Sequence, residues 1–218
     1  MNILPLLSFL ATLVGKAVHG LIDPTLQRSL LSYIHAFRRP KYSYENLLLA
    51  INLELCDVKG RKAILRRTQR VRFLAEGAGI VRDVFWGDGK ALTDYVVEGA
   101  ERLSVRHEGS KSVVLLGLHT NPAKGEIVKM RTERTIRGGF KLDQGYLETL
   151  VERDTKRVRL TVLFPRERPP RHVQVDASPP VIESHPLSLH LTGTGTGRAT
   201  WGTANPKHLV TYRIRWDW

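Results

Sequence analysis

The sequence predicts a mainly β protein in which two N-terminal α-helices precede an antiparallel β-sandwich or barrel. Turn signals rich in Gly, Pro, Asn and Asp recur at strand-like intervals after residue 75, which is typical of antiparallel sandwiches and barrels. The runs between them, such as RVRLTVLF and LVTYRIRW, are short, rich in β-branched and aromatic residues, and alternate in polarity. We therefore expect a helical element over residues 1–42 and a β-domain over residues 43–218.

The first predicted helix covers residues 3–22 and is long enough to cross a membrane, because 20 helical residues span about 30 Å. Its polar residues form one stripe on a helical wheel, and the opposite side is apolar. The stripe fits a helix lying in the bilayer interface, a spanning helix that packs against copies of itself, or an amphipathic helix docked on the β-domain. The residues predicted to associate with membrane are Leu6, Leu7, Leu10, Leu13, Val14 and Leu21.

Self-association of the first helix depends on Ser8 and Thr12. Their small-xxx-small spacing lets spanning helices approach closely, so a homo-oligomer is one expected state. The second helix follows at once, since Asp23 suits the N-cap and Pro24 the first helical position. Its apolar residues recur on one face, and Pro40 ends it.

The charge of the chain points to an anionic partner. The formal net charge is +13 and the pI is about 10.2, which favours acidic lipid headgroups, a phosphorylated ligand or nucleic acid. Residues 1–75 hold 12 Lys and Arg against 4 Asp and Glu. By the positive-inside bias we expect the β-domain at the cytoplasmic face of the membrane, or in the cytoplasm if the first helix docks on protein.

The β-domain opens with a predicted hairpin, INLELCDVKGRKAILRRTQRVRF, that turns near Lys59 and Gly60. Its second strand carries the densest chemical signal, six basic side chains and no acid between residues 61 and 72. Alternation along a strand places Arg66, Arg70 and Arg72 on one face with Thr68 and turns Arg67 to the other. The stripe predicts an anionic-ligand site, and the alternative is a solvated outer face of the sheet. The candidate residues are Arg66, Arg70, Arg72, Arg67, Arg61 and Lys62.

Two later strands show clear inward faces. Val158, Leu160 and Val162 alternate with polar residues. The terminal run repeats the pattern, and its two tryptophans predict that this strand is integral to a sheet. The predicted inward residues of the terminal run are Val210, Tyr212, Ile214, Trp216 and Trp218.

Catalytic and metal-binding motifs do not emerge from the sequence. None of the eight histidines lies in HExxH or beside CxxC, and neither GxSxG nor a glycine-rich dinucleotide fingerprint occurs. Asp83, Asp88 and Asp94 flank WGDGK, but their spacing fits a turn better than a calcium loop. The single cysteine, Cys56, excludes an internal disulfide. We expect a protein without a cofactor and without enzymatic activity, although a site assembled from distant strands leaves no local trace.

The arrangement of a hydrophobic helical part followed by a compact β-domain resembles the membrane-anchored β-barrel effectors of bacterial cyclic-nucleotide antiphage (CBASS-type) systems. The resemblance implies that the β-domain senses a nucleotide and that the membrane part oligomerises. The sequence departs from those effectors at residues 24–37, which are too short and too polar for a second spanning helix.

The expected function is therefore binding of an anionic ligand or partner by a non-enzymatic β-domain, with membrane association through the N-terminal helix and an oligomerising role in bacterial defence. The alternative is a soluble, basic, nucleic-acid-binding subunit of a larger complex. Only Phe73 lies near the basic run, and stacking on aromatic rings normally supports single-strand binding. Sequence-specific recognition of nucleic acid is therefore not expected.

Overall fold

The fold is given by a computed structural model, which describes residues 43–77, 79–86, 94–108, 111–178, 183–186, 188–191 and 197–218. These residues form fourteen strands and no helix, so the mainly β class is confirmed. The two helices predicted within residues 1–42 lie outside the described residues. The strands are β1 (Tyr44–Leu55), β2 (Lys62–Phe73), β3 (Ile80–Trp86), β4 (Val96–Glu98), β5 (Glu101–Glu108), β6 (Lys111–Gly117), β7 (Ile127–Arg137), β8 (Gln144–Leu150), β9 (Arg157–Phe164), β10 (His172–Ser178), β11 (Glu183–Pro186), β12 (Leu189–Leu191), β13 (Gly197–Ala204) and β14 (Thr211–Asp217).

The strands form three sheets in a sandwich-like arrangement. The largest has the order β12-β13-β9-β1-β2-β7-β4, the second β11-β10-β14-β8, and the third β3-β6-β5. The large sheet departs from the antiparallel arrangement that the sequence predicts, because β1 and β9 pair in parallel, with Ile51 opposite Leu160. A parallel pair needs a long crossover, and here strands β2 to β8 lie between the two in the chain.

The β1–β2 hairpin turns where the sequence predicts. Gly60 adopts a φ of 62°, and a Cβ there would lie 1.8 Å from the carbonyl oxygen of Phe140, so only glycine fits. The carboxylate of Asp57 accepts the backbone N–H groups of Lys59, Arg61 and Lys62 at 2.8, 3.1 and 2.7 Å. The turn is therefore closed by one side chain that satisfies three backbone donors.

Two hydrophobic clusters form the core. Cluster 1 contains the inward faces of β9 and β14, as the alternation of the sequence predicts, and its largest buried side chain is Trp216, which is 1% exposed. Cluster 2 is built around Tyr44, Phe73 and Leu116. Strands β1 and β2 contribute side chains to both clusters.

Candidate functional site

The predicted basic stripe lies on the outer face of β2, where two of its arginines are held by carboxylates. Arg66 lies between two glutamates, with Nη1 2.6 Å from Oε2 of Glu54 and Nε 2.7 Å from Oε2 of Glu133. Nη1 of Arg72 lies 3.1 Å from Oε1 of Glu45. Much of the positive charge at these two positions is therefore already neutralised.

Three other candidate residues of the basic run form no ion pair within the described ranges. Arg70 is exposed and forms no ion pair within the described part of the chain. Arg61 and Lys62 are exposed where the hairpin turn leads into β2, and their backbone N–H groups bind Asp57. Among the residues that the structure describes, Arg70 is therefore an unpaired cation in the middle of the predicted stripe, and anion binding by these residues stays a prediction.

Neighbouring strands add basic side chains beside Arg70 that sequence reasoning did not single out. Lys129 on β7 lies directly opposite Arg70. Arg159 on β9 pairs with Ala50, which in turn pairs with Thr68, so Arg159 shares the outer face. Arg157, two residues earlier on β9, points the same way. We call the set Arg70, Lys129, Arg157 and Arg159 the outer basic face.

The outer basic face surrounds the uncharged side chains of Leu48, Ala50 and Thr68. Adjacent strands are about 4.8 Å apart, so Arg159 and Thr68 are separated by roughly 10 Å across Ala50. The four basic side chains are exposed, and none forms an ion pair in the ranges that the structure describes. Arg131, in the row of Thr68, makes only long contacts of 3.9 Å with Glu98 and 3.8 Å with Glu133. Such a face can bind phosphate or carboxylate groups at its guanidinium forks.

Arg67 faces the opposite side of β2, as the alternation predicts, and enters a buried polar cluster. Its Nη1 lies 2.6 Å from Oδ1 of Asp83 and donates a hydrogen bond of 2.8 Å to the carbonyl oxygen of Val84. Asp83 is 3% exposed and also accepts hydrogen bonds from the Tyr95 hydroxyl at 2.6 Å and the Thr132 hydroxyl at 3.1 Å. The carboxylate of Asp83 is thus fully engaged. Burial, and then the charge of Asp83, raises the pKa of Tyr95, which keeps its hydroxyl as a donor.

A second buried guanidinium adjoins this cluster. Arg134 on β7 is 6% exposed, and its guanidinium carbon lies 3.6 Å from the centre of the Phe85 ring. Its Nε and Nη1 are buried and have no hydrogen-bond partner. Burial lowers the pKa of Arg134 to about 10, against the opposing effect of Asp83, so the group stays charged at neutral pH. We call Arg67, Asp83, Tyr95, Thr132 and Arg134 the interior cluster.

A cleft of about 960 Å³ lies between the three sheets, and four residues of the interior cluster, Arg67, Asp83, Thr132 and Arg134, line it. The other polar residues of the lining are His107, Arg137, Gln144, Glu148 and Thr149. Exposed side chains such as Leu142 and Tyr146 also line it, so the cleft opens to solvent. Its apolar wall consists of Ile51, Leu53, Leu65, Ile136, Phe140 and Leu147.

Sequence reasoning missed Arg134 and placed Asp83 beside a turn. The alternation of residues along β7 and β3 contained a signal for both residues. Arg134 is in phase with Met130 and Thr132, which are buried, and Asp83 is in phase with the buried Val81 and Phe85. A charged residue in phase with buried residues indicates an interior ion pair or site, because an unpaired buried charge is costly.

Neither a metal-binding group of side chains nor a membrane-spanning helix occurs within the described ranges. No group of His, Cys, Asp and Glu there is arranged to hold a metal ion. The same ranges contain no helix with the length and hydropathy needed to span a bilayer. The candidate membrane residues 3–22, with Ser8 and Thr12, lie outside them.

Comparisons with known proteins give no family for this chain. No known protein family and no curated protein matches it in sequence. Two solved structures of the M1 zinc metallopeptidase from Deinococcus radiodurans, one of them a mutant, are similar over 79% of this chain at 15% and 13% identity, each with a TM-score of 0.41. The chain spans 42% of the length of either peptidase structure. A TM-score of this size carries no argument about function, and the resemblance to antiphage effectors stays a prediction.

Proposed function

We propose that this chain is a non-enzymatic, membrane-associated binding protein whose β-domain recognises acidic lipid headgroups through the outer basic face. The observation that carries the proposal is the set of four exposed basic side chains, Arg70, Lys129, Arg157 and Arg159, that lack a carboxylate partner in the described ranges. Residues 3–22 supply the attachment, and Ser8 and Thr12 supply contacts between copies. The membrane face is the cytoplasmic one, where anionic lipids are concentrated.

The geometry of the outer basic face suits a lipid surface better than a small ligand. The four side chains project from neighbouring strands of one sheet, around the uncharged residues Leu48, Ala50 and Thr68. Each Lys or Arg near an anionic membrane contributes about 1 kcal/mol, so four together contribute about 4 kcal/mol, roughly a thousandfold in partitioning. This attraction falls as salt is raised, because surface charges are screened.

The test is flotation of the full chain with vesicles of phosphatidylcholine alone and with vesicles that also contain phosphatidylserine. We expect the parent protein to float mainly with the acidic vesicles at low salt. Neutralising the outer basic face should reduce that flotation at least about tenfold, because most of the electrostatic attraction is lost. The variant carries Arg70→Gln, Lys129→Gln, Arg157→Gln and Arg159→Gln.

A matched control removes the same number and type of charges elsewhere. The four control positions are exposed and lie outside the large sheet. Equal loss of flotation in both variants would assign the effect to net charge and contradict a specific face. The control carries Arg102→Gln, Lys124→Gln, Arg166→Gln and Arg171→Gln.

Removing residues 1–22 tests the membrane attachment separately from the outer basic face. Unchanged flotation of the shortened chain would exclude attachment through the N-terminal segment.

Nucleic acid is the outcome that would replace lipid as the partner. The outward positions beside the four cations, which include Leu48, Ala50, Thr68 and Gly202, carry no aromatic ring on which a base could stack. We therefore expect weak, sequence-independent oligonucleotide binding that disappears at moderate salt. Tight oligonucleotide binding that requires the outer basic face, together with no flotation, would favour the nucleic-acid-binding alternative.

A further inference from the structure

The interior cluster contains two cationic side chains and one carboxylate, so it carries one excess positive charge. Arg67 and Arg134 are both cationic, Asp83 supplies the one carboxylate, and Tyr95 and Thr132 are neutral donors to that carboxylate. Asp83 pairs with Arg67, which leaves Arg134 with two buried nitrogens that have no partner. A buried charge of this kind is normally compensated by an ion pair and hydrogen bonds. The Phe85 ring below Arg134 compensates only part of that cost.

The remaining charged groups on the cleft do not supply the missing anion. Oε2 of Glu148 accepts hydrogen bonds from Nε and Nη2 of Arg213 at 2.8 and 2.6 Å. Arg137 lies 3.2 Å from the carboxylate of Asp94, and Nδ1 of His107 lies 2.9 Å from the Ser112 hydroxyl. In the described ranges, every carboxylate on the cleft is thus already paired.

Much of the cleft lining is apolar, and the cleft is large enough for a ligand. Its volume of about 960 Å³ lies at the upper end of the range of small-molecule sites, roughly 300 to 1,000 Å³. Ile51, Leu53 and Leu147 of cluster 1 form part of its wall, and Leu65 and Ile136 continue it. A cleft lined both by apolar side chains and by an uncompensated guanidinium is complementary to a molecule with an apolar body and one negative charge.

We propose that this cleft is a binding site for a small carboxylic acid with an apolar body, whose carboxylate pairs with Arg134 while its hydrocarbon part lies against Leu65 and Ile136. A monoanion fits better than a phosphate dianion, because the interior cluster has one excess positive charge. The site is distinct from the outer basic face and shares no residue with it.

The first test compares three probes of equal chain length, octanoate, 1-octanol and octylamine, by isothermal titration calorimetry on the full chain. Octanoate should bind roughly tenfold or more tightly than octanol, since a hydrogen bond to a charged group adds at least that factor. Octylamine should bind more weakly still, because its ammonium group repels Arg134. Equal affinity for octanoate and octanol, or no binding of octanoate, would overturn the proposal.

Variants then locate the site. Arg134→Gln should reduce octanoate affinity about tenfold or more and leave octanol unchanged, while Arg134→Lys should retain part of the preference for the acid. The outer basic face variant should bind octanoate like the parent, and Arg134→Gln should float with acidic vesicles like the parent, so the two proposals fail separately. Octanoate binding that survives Arg134→Gln would place the ligand elsewhere on the chain and refute this site.

Discussion

At the scale of single residues, adjacent arginines of β2 have opposite roles because strand side chains alternate. The side chain of Arg66 is 28% exposed, and its pairs with Glu54 and Glu133 lie on the outer face. The side chain of Arg67 is 13% exposed and pairs with Asp83, whose side chain is 5% exposed. Exposed pairs contribute about 0 to 1 kcal/mol, whereas breaking a buried pair costs about 3 to 5 kcal/mol. The inward arginine therefore matters far more for stability.

We expect Asp83→Asn to lower the free energy of unfolding by about 3 to 5 kcal/mol, because it leaves Arg67 and Arg134 both buried without a carboxylate. Urea denaturation measures the change. Asp94→Asn removes a carboxylate from an exposed pair with Arg137 and should cost less than about 1 kcal/mol. Adding Arg134→Gln to Asp83→Asn should recover part of the loss, since one of the two uncompensated charges is removed. A double variant less stable than Asp83→Asn alone would contradict the excess positive charge of the interior cluster.

At the scale of elements, local patterns predict strands and turns but not which strands become neighbours. The alternation of β9 and β14 and the turn near Lys59 and Gly60 could be predicted, because period-two burial and turn chemistry are local properties. The parallel pairing of β1 with β9 could not, because the two strands are separated by about 100 residues of chain. The outer basic face depends on that pairing, which brings Arg157 and Arg159 close to Arg70. Three of the four residues of the outer basic face lie outside the basic run, so the run alone could not predict this site.

The β1–β2 turn gives a pH-dependent prediction. The backbone N–H of Arg61, and then those of Lys62 and Lys59, lower the pKa of Asp57 below its ordinary value. A carboxyl group with a lowered folded-state pKa stabilises the protein above its unfolded pKa of about 3.9, and this contribution is lost as pH falls through the folded-state value.

Asp57→Ala should therefore lower the melting temperature by a constant amount between about pH 5 and pH 7, and the difference from the parent should shrink below about pH 4. Scanning calorimetry across this range measures it. Glu167→Ala, at an exposed position outside any strand, is the matched control and should leave the melting temperature nearly unchanged. A difference that stays constant down to pH 2 would show that the charge of Asp57 does not stabilise the turn.

At the scale of the whole β-domain, the two hydrophobic clusters are linked through β1 and β2. In β1, Tyr44 belongs to cluster 2 and Leu53 to cluster 1; in β2, Phe73 belongs to cluster 2 and Ala63 to cluster 1. Neither cluster can lose these strands without exposing apolar surface in the other, which favours cooperative unfolding of both. The charged residues of the interior cluster lie on β2, β3 and β7, so their arrangement depends on both hydrophobic clusters being intact.

Phe73→Ala tests this coupling, because it removes a ring that is 1% exposed from cluster 2 and should cost about 3 to 5 kcal/mol. Three of the four tryptophans, Trp201, Trp216 and Trp218, lie in or against cluster 1, so tryptophan fluorescence reports mainly on cluster 1, while hydrogen exchange of β6 reports on cluster 2. In urea both probes should show the same lowered midpoint. Leu74→Ala, at a neighbouring exposed position, should change neither by more than about 0.5 kcal/mol. If Phe73→Ala accelerates exchange in β6 while the fluorescence midpoint stays at the parent value, the clusters unfold independently and the cleft between the sheets can open without global unfolding.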